Sequence, residues 1–232
     1  MRSINIRFDT LLGGCHKISM AFLVFEGLDG SGKSSLMRAL EAELSKQGIA
    51  FHRTREPGGT PLGDEVRHMI LRKQEGTTPV PRAELLLYEV SRAQHVDEVI
   101  KPKLAEGVWV LSDRFSASSV AFQAAGRWIR EEDVVMLNNF ATGGLKADLT
   151  VLLDLSVAES RHRQAQRTSK TGEGADRIES EQDSFHQRVR DSFLMQAHAD
   201  PANWLVLDAR SSTEEMLQIL LKTLKEKKWL VS

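Results

Sequence analysis

Short apolar runs alternate along this chain with longer stretches in which apolar residues recur every three or four positions. Residues 22–26 (FLVFE) and 108–112 read as strands buried on both faces, and 50–55, 149–154 and 204–207 as further strands. Helical periodicity fills the intervals at 35–44, 61–71, 81–104, 116–124, 130–139, 157–166, 178–197 and 213–227. The longest of these carries its apolar residues at Leu85, Leu86, Val90, Val96, Val99, Ile100 and Leu104. Strands that alternate with helices predict one doubly wound α/β domain, a five-stranded parallel sheet flanked by helices on both faces. The stretch 168–175 (TSKTGEGA) breaks the pattern. It is small, polar and glycine-bearing, and it predicts a mobile loop between two helices.

The first strand runs directly into Gly27-Leu28-Asp29-Gly30-Ser31-Gly32-Lys33-Ser34, followed by Ser35 and a helical run. This fits the phosphate-loop pattern G-x-x-x-x-G-K-[ST] in its strand–loop–helix setting. Glycines let the backbone curl so that N–H groups converge on phosphate oxygens, and the helix N-terminus adds favourable partial charge. Lys33 would reach the β- and γ-phosphates, and the Ser34 hydroxyl would ligate Mg²⁺. The fold class expected is therefore a P-loop NTPase. Asp29 is anomalous in an anion-binding loop. It is tolerable there if it turns away, toward a sugar hydroxyl, the metal shell, an arginine or solvent.

Composition narrows the picture. Apolar residues make up 41% and charged residues 27% of 232, ordinary for a globular chain. A net charge of −1 gives no global basic field, so extended nucleic-acid binding is not expected. No apolar run approaches the roughly 20 residues that span a bilayer. The single cysteine, Cys15, can form no internal disulfide, which points to a cytoplasmic protein, and the seven histidines show no metal-ligand spacing. Residues 1–19 lack a secretory h-region and read as a loosely held extension or a start placed too early, ahead of a domain over 20–232.

Two further features fall at strand ends, where open α/β sheets bind ligands. Asp113-Arg114-Phe115 follows the strand at 108–112: the carboxylate suits Mg²⁺ or its waters and the arginine suits a phosphate, although an ordinary strand-end ion pair would look the same. Arg55-Glu56-Pro57-Gly58-Gly59 fixes a turn after the second strand. Tyr88 and Arg92, four apart, share a helix face that could stack on a base and donate to it, or simply be an amphipathic surface. Arg161, Arg163, Arg167, Lys170 and Arg177 crowd the glycine-bearing loop. A lid over about 167–176 would exclude water and bring in positive charge, and an arginine-rich solvated helix is the plainer alternative.

Together these segments resemble the thymidylate kinase family. The resemblance is carried by FEGLDGSGKSS (25–35), REPGGTPLG (55–63), ELLLYEVSRAQH (84–95), DRFSASSVAFQAAGR (113–127), ADLTVLLDL (147–155) and DRIESEQDSFHQRVRDSF (176–193). It implies a nucleoside monophosphate kinase-like fold, phosphoryl transfer from ATP to dTMP with Mg²⁺, and a homodimer without nucleic-acid or membrane partners. Asp29 then contacts the acceptor sugar, Arg92 bonds the thymine carbonyl, and Tyr88 stacks on the base. Arg114 meets the acceptor phosphate, Ser119 lies at the thymine edge, and Phe122 and Gln123 line the nucleoside pocket. Glu56 and Arg67 fall at acceptor-phosphate and metal-shell positions. Gly30 stands where a eukaryote-type subgroup has arginine, so the resemblance implies a bacterial-type catalyst drawing charge from Arg167 or Arg163. The rival of another class is a slow nucleotide-hydrolysing switch, for which the chain has no N/T-K-x-D guanine box.

Overall fold

The computed structural model describes residues 21–230 except 74, 75, 77 and 173, so the expected extension at 1–19 lies outside the described residues. Five strands, β1 (Phe22–Glu26), β2 (Phe51–Arg55), β3 (Trp109–Asp113), β4 (Leu149–Asp154) and β5 (Trp204–Asp208), form one parallel sheet in the order β2-β3-β1-β4-β5. Helices cover both faces, which is why β1 is buried at every position.

Strand alternation divides the core in two. Leu23 and Phe25 of β1 pack with Leu36, Met37 and Leu40 of α1 (Lys33–Lys46) and with Leu217, Leu220 and Leu224 of α9 (Thr213–Glu226). Phe22 and Val24 face the other way, toward Val96, Ile100 and Phe115. On that same side Phe122, Phe185, Val189 and Phe193 form a neighbouring cluster with Leu152. The order reverses at β1, which has β3 on one side and β4 on the other, so a crevice opens at its carboxyl end.

Between these strands lie α2 (Pro61–Leu71), α3 (Pro81–His95), α4 (Lys101–Ala105), α5 (Ser116–Ser119), α6 (Glu131–Thr142), α7 (Val157–Thr171) and α8 (Asp183–Ala199). The start of α2 follows from its sequence: Thr60 accepts the Gly63 N–H at 3.0 Å and Pro61 occupies the first turn.

Four expectations are corrected. The helix expected over 81–104 changes to a π-helical turn at Val96–Ile100 before α4. Pro102 has no N–H, and its ring would collide with the Glu98 carbonyl in a regular helix. The ladder widens ahead of it, Lys101 N–H bonding the Val96 carbonyl. The segment 116–124 likewise passes from α5 into a π-helical stretch, Val120–Gly126. The loop expected at 168–175 is helical as far as Thr171, because nothing before Gly172 stops α7. Gly172, at φ +72°, caps it with its N–H on the Thr168 carbonyl. The helix expected from 178 begins only at Asp183. Ahead of it Asp176 and Glu179 close a reciprocal turn, each carboxylate accepting the other's backbone N–H at 2.8 and 3.1 Å.

Candidate active site

Register brings the chemistry to one edge. Phe25 and Arg55 both pair with Asp113, so β1, β2 and β3 end level, and Glu26, Glu56 and Arg114 leave the sheet together. Gly27 turns the loop at φ +135°, and a Cβ there would lie 2.5 Å from the Leu153 carbonyl oxygen, so only glycine lets the loop pass β4. Gly32, at φ +98°, then delivers the chain into α1, whose first N–H groups have no intrahelical partner and face the loop's hollow. Within the loop the Ser31 hydroxyl is buried without a hydrogen-bond partner, as suits a cradle shaped for an anion. Lys33 is buried, and its Nζ donates to the Gly27 and Leu28 carbonyls at 3.2 and 3.3 Å; burial and Arg114 pull its pKa down. Ser34 and Asp113 line one opening beside the loop, so two hard oxygen donors suited to Mg²⁺ share it. Among the described residues no cluster of three His, Cys, Asp or Glu could hold a metal ion.

Asp29 resolves its anomaly by facing arginine. Arg114 Nη2 donates to its Oδ1 at 2.9 Å, and Lys33 Nζ lies 3.8 Å away. Burial pushes the Asp29 carboxyl up, but Arg114 and Lys33 outweigh it and hold the group at about 2, so it is ionised at neutral pH. Arg114 adopts φ +75°, an uncommon conformation for a non-glycine residue. Its guanidinium also approaches Ser118 Oγ at 3.3 Å and Glu26 at 3.6 Å and lies 4.9 Å over the Phe122 ring. Glu26 is fully buried and accepts from the Phe115 and Ser118 N–H groups and the Ser118 hydroxyl. Burial pushes its carboxyl up to about 7 against the pull of Arg114 and those donors.

Asp29, Glu56, Arg67, Tyr88, Arg114, Phe122 and Gln123, assembled from six separate segments, line one cleft beside the phosphate loop. Arg67 is fixed there by its bond to the Pro57 carbonyl at 3.0 Å, and burial raises the Tyr88 hydroxyl pKa. Arg92 and Ser119 are buried and do not line this cleft. Arg92 is only 1% exposed and donates to Glu56 at 2.8 Å, Glu89 at 2.7 Å, Ser119 at 2.9 Å, Asn138 at 2.7 Å and the Phe115 carbonyl at 3.1 Å. It lies behind Glu56 and, with His95 at 3.0 Å, holds that carboxylate in place.

The lid candidates diverge. Arg163 lies against the loop, donating to the Gly30 carbonyl at 3.3 Å and the Ala209 carbonyl at 2.9 Å. Arg167, further along α7, pairs with Glu179 in the turn before α8 and feels the charge of Asp29. Sequence reasoning missed the cleft residues Pro57, Leu71, Ser118, Asp176 and Ile178. It also gave no role to Glu26, although a glutamate closing an otherwise apolar strand is a visible signal.

A family model described as "Thymidylate kinase" matches residues 25–219. The chain belongs to the thymidylate kinase family. A protein named thymidylate kinase from Bdellovibrio bacteriovorus is 67% identical over 212 residues, covering 91% of this chain and 99% of the relative. Thymidylate kinases of Trichlorobacter lovleyi and Synechococcus sp. (strain CC9902) are 46% and 42% identical, covering 81% and 88% of this chain and 89% and 97% of their own lengths. Membership in this family makes the protein a nucleoside monophosphate kinase. Among the described residues no helix is long and apolar enough to cross a membrane.

Proposed function

We propose that the protein transfers the γ-phosphoryl group of ATP to dTMP, giving dTDP and ADP for dTTP synthesis in the cytoplasm. The observation that carries this reading is Asp29. It belongs to the phosphate loop and also lines the cleft, paired there with Arg114, so donor and acceptor surfaces meet at one salt bridge. Phosphoryl transfer asks the protein for alignment, charge neutralisation and exclusion of water rather than for a strong base, since the acceptor phosphate is already anionic. The loop backbone and Lys33 would grip the donor phosphates. Arg114, with Arg67 beside it, would hold the acceptor phosphate, while Asp29 accepts from the sugar. Tyr88 and Phe122 would enclose the base, and Gln123 would bond its edge.

Ser34 and Asp113 would hold Mg²⁺, which neutralises phosphate charge when bound. Arg167 would leave Glu179 as the segment after α7 closes and meet charge developing on the transferred group; Arg163 would brace the loop from behind.

Purified protein offered dTMP, dUMP, dCMP, dGMP and thymidine with ATP should turn over dTMP fastest. It should accept dUMP poorly but measurably, because one methyl in a pocket is worth only about 1–3 kcal/mol. Comparable turnover of thymidine, or none of dTMP, would sink the assignment.

We further propose a homodimer joined through α2, α3 and α6, which pack side by side and expose apolar residues at same-face spacing.

A further inference from the structure

Glu84, near the start of α3, is fully buried, and its two oxygens accept four hydrogen bonds. Oε1 accepts from Gln123 Nε2 at 2.9 Å and Arg127 Nε at 3.2 Å; Oε2 accepts from Arg127 Nη2 at 3.1 Å and Arg177 Nη2 at 2.6 Å. Both arginines are anchored elsewhere. Arg177 also donates through Nε to the Ile70 carbonyl at 2.8 Å. Arg127 pairs with Glu181 at 2.6 Å and lies 4.7 Å over the Phe185 ring. The carboxylate therefore has neither a free lone pair nor freedom to rotate.

We propose that Glu84 is a positioning residue that selects the base by fixing the amide of Gln123. A carboxylate whose two oxygens both take N–H groups from arginine is held as an acceptor, so the amide that meets it must present its NH₂. Flipping Gln123 would set two acceptors against each other in a buried site. The end of Gln123 left to the cleft it lines is its carbonyl oxygen, an acceptor. Such an acceptor suits a pyrimidine whose N3 carries a hydrogen, as thymine and uracil do. It repels one whose N3 is a bare lone pair, as in cytosine. The carboxylate never touches the nucleotide; it acts through the orientation it imposes.

This inference rests on the proposed function, since it takes the base to lie against Gln123, and the test separates the two. The KM for dTMP and the Ki of dCMP as a competitor are measured for the wild type, Gln123→Ala and Glu84→Gln, with thermal melts to follow folding. Gln123→Ala should raise the dTMP KM at least fivefold. If it does not, the placement of the base fails, and the role of Glu84 with it. A glutamine at 84 offers both an acceptor and a donor, so either orientation of Gln123 becomes tolerable. Glu84→Gln should therefore lower the ratio of dCMP Ki to dTMP KM at least tenfold, with a smaller change in kcat.

A raised dTMP KM in Gln123→Ala with an unchanged ratio in Glu84→Gln would overturn the inference while leaving the function standing. A fall in kcat alone would also overturn it, because it would mark a merely structural role. Should Glu84→Gln not fold, Glu84→Asp keeps an acceptor-only group: selectivity held within threefold supports the proposal, and its loss refutes it.

Discussion

Arg92 shows how far a single residue can be read from its spacing. Its distance of four from Tyr88 correctly puts both on one face of α3, but spacing says nothing about depth. Tyr88 lines the cleft, whereas Arg92 sits one turn deeper among five acceptors. The signal that separates them was present in the chain. Glu56, Glu89 and Asn138 supply the anionic and polar company a buried guanidinium needs, but only the fold gathers them. Burial opposes the charge on Arg92, yet Glu56 and Glu89 more than compensate and raise its pKa. Removing the cation would strand two carboxylates in a low-dielectric interior, which typically costs about 3–5 kcal/mol. Arg92→Met should therefore lower the unfolding free energy by about that amount in urea titrations. A variant with the wild-type denaturation midpoint and a raised dTMP KM would return Arg92 to direct base recognition.

At the scale of elements, β1, β3 and β4 were legible because helices cover both faces of the sheet there, and an apolar run bounded by turns has few other interpretations. Helix ends were less legible. The loop expected at 168–175 misjudged α7 because polar, small residues suit an exposed helix surface as well as they suit a loop, and only Gly172 carries a true stop. The start of α8 was misplaced for the converse reason: Asp176 and Glu179 close a turn whose reciprocal bonds resemble the entry to a helix. The outcome bears on the lid arginines. Arg167 rides on α7, a little more than one turn before Gly172, and pairs with Glu179; in the proposed mechanism that contact is exchanged for phosphate. An arginine meeting charge that develops in phosphoryl transfer contributes about 10³–10⁵ in rate. Arg167→Ala should therefore lower kcat at least tenfold with little change in the melting temperature. A smaller loss in steady-state turnover would move the role to Arg163 or elsewhere.

For the whole molecule, the surface is informative where it departs from the ordinary. Leu86 and Val90 on α3, Met136 and Phe140 on α6, and Leu62 and Met69 on α2 are all exposed, Phe140 by 86%. They stand four, four and seven positions apart, so each helix turns one apolar stripe outward. The three helices pack in the order α2, α3, α6, and the stripes therefore form a band away from the cleft. Monomers seldom expose contiguous apolar patches of this kind, and a two-fold pairing would cover the same band on both copies. The sequence held the residues but not the band, because α6 lies beyond β3 in the chain and packs against α3 only in the fold. Sedimentation should find twice the chain mass at micromolar concentration. Phe140→Glu places a charge on the band, where it would be buried in the pair but solvated in the single chain, so it should shift the species to the chain mass while leaving the far-UV spectrum unchanged. A wild-type protein sedimenting as one chain, or a Phe140→Glu variant that still pairs, would show that another surface or no surface joins the copies. The band lies on the opposite side of α3 from Glu84 and Tyr88, so a monomeric variant that loses dTMP affinity would reveal that pairing holds this helix, and with it the cleft wall, in register.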